Sequence, residues 1–137
     1  MNEGNNKKLI QDIYAELSRG NSRPLFEAMA EDVRWIMMGT TKWSGTYEGK
    51  QDVLTRLIAP LRAQYADRYT ASAERIMAEG DLVVAEVRGR VTTVAGKPYN
   101  NCYCFIFRIA DGKIVEMTEY LDTDLVNSAL APPVLGA

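Results

Sequence analysis

Histidine is missing altogether from the 137 residues, and that gap excludes more chemistry than any other feature of the composition. A Ser-His-Asp triad, a Cys-His pair and any histidine-ligated metal are all out of reach. A base working near neutral pH is then most simply a carboxylate with a raised pKa, with a depressed lysine or a tyrosine as the rarer choices. Cysteine is scarce as well. Cys102 and Cys104 are the only two, and two apart on one strand they share a face without disulfide geometry, so reduced, packed thiols are expected. No apolar run approaches the roughly 20 residues of a membrane span, and the polar start Asn2-Glu3-Gly4-Asn5-Asn6 carries no signal core. A cytoplasmic protein without a membrane partner is therefore expected. Charge of one dominant sign is also lacking, with 16 basic and 18 acidic residues and the basic ones scattered, so nucleic acid is not the expected partner. No metal or nucleotide motif stands in the chain, and neither a metal nor a cofactor is expected.

What is present has the size of one domain over 1–137, with 1–6 expected to be disordered and 128–137, containing Pro132-Pro133, expected to form a C-terminal tail. Leu9, Ile10, Ile13, Tyr14 and Leu17 follow helical spacing from Lys7 to Arg19, and Gly20-Asn21 supplies a stop. Ser22 can cap a second, short helix from Pro24 to Ala30. Val33 to Met38 reads as a strand, and Gly39 to Gly49 as a polar loop containing Trp43 and Tyr47. A third helix is expected from Lys50 to Tyr65, kinked or broken at Pro60. After Asp67 the period becomes two, giving strands at Tyr69–Ala78, Leu82–Val94, Tyr99–Ala110 and Lys113–Thr123. Short turns join them as an antiparallel meander. Three helices before a meander make an α+β domain, the helices covering one face of a curved sheet.

The strand faces carry the functional argument. Val83, Ala85, Val87, Gly89 and Val91 form an apolar face that belongs under the helices. Cys102-Tyr103-Cys104-Phe105-Ile106-Phe107 is apolar on both sides, and a single helical layer covers only one. A second copy on the other side is the simplest cover, so a homodimer is expected. On the last strand, period two places Val115, Met117, Glu119 and Leu121 together on the core side. A carboxylate in that company costs several kcal/mol unless paired, hydrogen-bonded or protonated, and a ligand pocket would justify it.

The order of elements, with Glu31-Asp32 before a short strand and Asp111-Gly112-Lys113-Ile114 leading to Glu119-Tyr120-Leu121-Asp122, resembles the SnoaL-like branch of the nuclear transport factor 2-like superfamily. The resemblance spans nearly the whole chain and implies a cone-shaped α+β fold, a mixed or antiparallel curved sheet with three N-terminal helices on its concave face, commonly dimeric. Compared with ketosteroid isomerase, Met37 and Phe105 stand in place of its two aspartates, and Ile13 in place of its oxyanion-hole tyrosine, with Tyr14 adjacent. Compared with limonene-epoxide hydrolase, Val87 and Gly89 replace an arginine and an aspartate, and Trp35 and Met37 replace a tyrosine and an asparagine. Glu119 alone has a counterpart, and the polyketide cyclases likewise carry an acid in this part of the last strand.

The expected ligand is a hydrophobic small molecule, cyclic or otherwise mostly apolar, with Glu119 as its principal polar anchor. Glu119 reads either as a general base of cofactor-independent acid–base chemistry or as a structural acid neutralised by Arg75 or Arg34. Tyr14 reads as a hydroxyl donor into the pocket or as core. Trp35, Met37, Phe26, Tyr103, Phe105 and Met117 are expected to line the pocket as incompletely filled core, and Trp43 and Tyr47 either to form a rim or lid or to anchor their loop as aromatics. Asp122, three residues from Glu119 and so on the other face, is expected to be structural. The enzyme readings are an isomerase, cyclase, dehydratase or hydrolase; against them stands a non-catalytic binding or dimerisation module.

Overall fold

The computed structural model describes residues 3–134. Its helical layer begins with α1, Glu3–Leu17, so residues 3–6, expected to be disordered, form the first turn of a helix. Residues 1–2 and the last three of the expected tail lie outside the described residues. Helix α2, Arg23–Ala28, follows with Pro24 in its first turn, and Ser22 occupies the capping position without a side-chain capping bond. Its hydroxyl instead accepts from Arg62.

The third helix is not broken at Pro60. It runs as α3, Lys50–Asp52, a π-helical stretch, Val53–Ile58, and α4, Ala59–Arg62. Ala59 N–H reaches back five residues to the Leu54 carbonyl, and this wider turn gives the proline ring room that an α-turn would deny it.

Six strands form one curved mixed sheet in the order β2-β1-β6-β5-β4-β3. They are β1, Met29–Met37; β2, Gly45–Glu48; β3, Thr70–Glu79; β4, Leu82–Arg90; β5, Cys102–Ala110; and β6, Lys113–Leu121. Strands β3 to β6 are the expected antiparallel meander, and β1 joins β6 in parallel. Strand β2 lies inside the segment read as loop; four residues are too few for period two to stand out. Asp111 and Gly112 both take positive φ in the β5–β6 turn, the backbone twist that a two-residue hairpin favours.

Helix α1 packs on β3 and β4, burying Val83, Ala85 and Val87 as their spacing requires. In β6 the face pattern shifts once. Arg108 pairs with Glu116 but Ile109 pairs with Ile114, so Val115 is an extra residue in the ladder. This bulge puts Ile114 in the core in place of Val115 and leaves Met117 and Glu119 buried. After β6, Asp122 caps a helix not expected from sequence, α5, Thr123–Ala129, accepting from Leu125 N–H at 3.2 Å.

Candidate functional site

The concave side of the sheet and the helices enclose a cavity of about 420 Å³, within the range of small-molecule sites. Its polar end is Glu119. In register, Glu119 stands between Met37 of β1 and Phe105 of β5, and only 4% of the residue is exposed. Trp35, two residues before Met37 and on the same face, donates its indole N–H to Glu119 Oε1 at 2.8 Å. Among the described residues no cation pairs with this carboxyl. The two arginines proposed as neutralisers are engaged elsewhere: Arg34 with Glu48 and Glu116, and Arg75 with Glu86. Burial pushes the Glu119 pKa up to about 7, and the single indole bond opposes that only in part.

Aromatic rings build the walls. Tyr103, Phe105 and Phe107 alternate along β5 and stack at centroid distances of 5.4 and 5.7 Å, and Trp35 meets Phe105 edge-on at 6.1 Å. Tyr14 sits edge-on to Phe107 at 6.3 Å. Its hydroxyl has no protein hydrogen-bond partner among the described residues, and Tyr14 borders the cavity. Burial, with Glu119 nearby, pushes its pKa far above the ordinary value. Tyr14 is therefore a hydrogen-bond donor at neutral pH and cannot be a base there.

The cavity gathers most of the residues singled out in the sequence: Glu119, Tyr14, Trp35, Met37, Phe26, Tyr103, Phe105, Met117 and Trp43 all line it. Tyr47 does not. It stands behind Trp43, donating to the Trp43 carbonyl at 2.5 Å, with the Arg56 guanidinium over its ring. Trp43 is buried rather than a rim residue, because the C-terminal segment lies over it and Ala131 O accepts its indole N–H at 3.0 Å. Gln64 pins the same segment by two bonds to the Ala131 backbone.

Three lining tyrosines were not singled out in the sequence: Tyr65, Tyr69 and Tyr99. Tyr65 and Tyr69 stack nearly parallel at 5.7 Å. Burial raises all three hydroxyl pKa values, that of Tyr99 to about 12, and the charge of Glu119 adds to each rise. One signal was available, since Tyr99 and Tyr103 are four apart and fall on one face of the expected strand Tyr99–Ala110, although β5 itself begins only at Cys102. Gly89 explains the position of another. A Cβ there would stand 2.5 Å from the Tyr69 hydroxyl, so Tyr69 fills the space in which a side chain at 89 would begin.

Among the described residues no group of His, Cys, Asp and Glu is arranged to hold a metal ion, and no helix is long and apolar enough to cross a membrane. The model of the SnoaL-like domain matches residues 10–117. The chain belongs to this family. Solved structures agree on the fold. An NTF2-like protein of Burkholderia thailandensis E264 superimposes with a TM-score of 0.79 and 25% identity, over 96% of this chain and 100% of that one. A protein assigned as a SnoaL-like polyketide cyclase, from Jannaschia sp. CCS1, gives 0.75 and 22% over 96% and 95%. TerC, crystallised with polyporic acid, gives 0.76 and 21% over 91% and 97%. No curated protein matches the sequence. The SnoaL-like, NTF2-like cone inferred from the order of elements is therefore the fold of this chain.

Proposed function

We propose that this SnoaL-like protein binds a mostly apolar, cyclic small molecule in the cavity and acts on it by cofactor-independent acid–base chemistry, with Glu119 as the base. The observation that carries this reading is Glu119 itself: a carboxyl inside an aromatic cavity, held by one indole N–H and, among the described residues, without a cation, so that burial pushes its pKa up to about 7. At that pKa both protonation states are populated near neutrality, the condition for taking a proton from a carbon acid or from water and returning it. Tyr14 supplies an uncommitted O–H within the electrostatic reach of Glu119, suited to a developing oxyanion. Isomerisation, cyclisation, dehydration and hydration all need this pair of functions. The cyclase assignment of one structural relative and the polyporic acid crystallised with another support a small-molecule ligand.

One observation favours a binding module instead. Met37, Phe105 and Val87 line the cavity and carry no proton-transfer group, and Tyr69 closes the space at Gly89. A Glu119→Gln variant separates the two readings. Retained ligand affinity with turnover abolished is the expected result; a ligand that the wild type binds but never transforms would leave only the module.

The proposal includes a homodimer through the outer sheet face. Met77, Val84, Ile106, Thr118 and Ile36 are register partners in one row across five strands. Met77 is 52% and Tyr120 44% exposed. Ion pairs flank the row, from Arg75–Glu86 on one side to Arg108–Asp81 and Arg34–Glu116 on the other, as an apolar core with a charged rim would require. Light scattering should give twice the chain mass at micromolar concentration and the single mass for Ile106→Glu. A wild-type monomer would sink the dimer.

A further inference from the structure

The cavity has a second polar end, chemically opposite to Glu119. Where the α1–α2 turn meets the segment between α4 and β3, Arg62, Arg68, Ser22 and Asp67 border the cavity. Arg62 donates to Ser22 Oγ at 2.9 Å and lies over the Phe26 ring at 5.5 Å, while Arg68 donates to the Gly20 carbonyl at 3.1 Å. Neither guanidinium has a carboxylate partner within 4.0 Å among the described residues, a state shared among the arginines with Arg90, which does not line the cavity; Arg19, Arg23, Arg34, Arg56, Arg75, Arg88 and Arg108 are all paired. Asp67 sits between them in sequence, with Oδ1 accepting from Thr92 N–H at 2.8 Å. Two cations against one anion leave this end with a surplus of one positive charge.

The two ends are joined by tyrosine. Burial raises the Tyr65 pKa, Glu119 adds to the rise and Arg62 opposes it, so the Tyr65 hydroxyl lies within reach of both charges. The Tyr65–Tyr69 stack and the Tyr103–Phe105 stack supply flat faces along the way, suited to planar rings. An anionic group placed at the inner end would meet an ionised Glu119 without water to screen it. At the outer end it meets guanidiniums whose planar donors match a carboxylate. A single surplus charge suits a monoanion better than a doubly charged phosphate.

We infer that the ligand is a flat aromatic or polycyclic carboxylate, seated with its rings toward Glu119 and its carboxylate at Arg62 and Arg68. This rests on the reading of the cavity as a ligand site and adds the charge and orientation of what enters it. The end is exposed, so screening limits the gain to about tenfold in affinity.

Calorimetric titration with 2-naphthoate and 2-naphthamide, which differ only in that group, tests it. Expected is a preference of about tenfold for the acid, declining as salt is raised, abolished in Arg62→Gln/Arg68→Gln and kept in Arg62→Lys/Arg68→Lys. Unchanged amide binding in the glutamine variant would show that the cavity is intact. Equal binding of acid and amide by the wild type, or a preference that survives both salt and the glutamine variant, would overturn the inference while leaving the cavity as a ligand site. If neither compound binds the wild type, the ligand-site reading falls and the inference falls with it. The wild-type comparison stands even if the variants do not fold.

Discussion

Glu119→Gln should make the protein more stable at pH 8, by about 3 kcal/mol, or roughly 10 °C in Tm. Burial sets the sign. Unfolded, the carboxyl titrates near its ordinary 4.5; folded, burial holds it near 7. Between these values the folded state holds a proton that the unfolded state has released, so stability falls as pH rises through that window. Below about 4.5 both states are protonated and the penalty is absent; above about 7 it is fully present. A tenfold difference in proton affinity between the folded and unfolded states is worth about 1.4 kcal/mol. Glutamine removes the titration, and its carbonyl oxygen can still accept from the Trp35 indole. The wild type should therefore lose stability from pH 5 to pH 8 relative to the variant, with the two curves converging at low pH. Denaturant melts of both proteins across that range provide the check, and parallel curves would mean that Glu119 is not the isolated buried acid described above. A site residue that costs the fold stability is the usual signature of a group kept for function.

Phe107→Ala should destabilise the protein by about 3–5 kcal/mol, enough to threaten folding in a domain of ordinary stability. Phe107 is fully buried. It stacks on Phe105 at 5.7 Å and receives the edge of Tyr14 at 6.3 Å, so truncation removes both ring contacts and leaves a void beneath α1. Phe107→Leu keeps most of the volume and should cost less, about 1–2 kcal/mol. The pair separates packing from site effects. In the leucine variant the fold survives but Tyr14 loses its aromatic neighbour, so ligand affinity should drop more than stability does. Urea denaturation of both variants gives the order, and equal losses for Ala and Leu would contradict the packing described for β5.

The amino-acid sequence by itself determined the class of fold, the meander and the one residue that breaks the apolar pattern. Those are local matters, since period two and period 3.6 are set by backbone geometry and survive without knowledge of neighbours. Glu119 could be read as inward because the alternation around it is regular. Ile114 could not, because the bulge at Val115 arises from pairing with β5 and leaves no mark in the alternation. Pro60 pointed to a broken helix for a similar reason: a π-turn depends on what packs around it, and the proline shows only that an α-turn is forbidden.

The cavity belonged to tertiary structure throughout. Its tyrosines come from α1, the segment before β3, the segment leading into β5 and β5 itself, and no local pattern shows that they meet. Only packing brings their hydroxyls within range of one carboxyl. Whether Arg34 or Arg75 neutralises Glu119 was also decided there, because both face the outer side and pair with other acids. A sequence states which residues carry charge; their pKa depends on distance and dielectric, and both are created only when the chain has closed around Glu119.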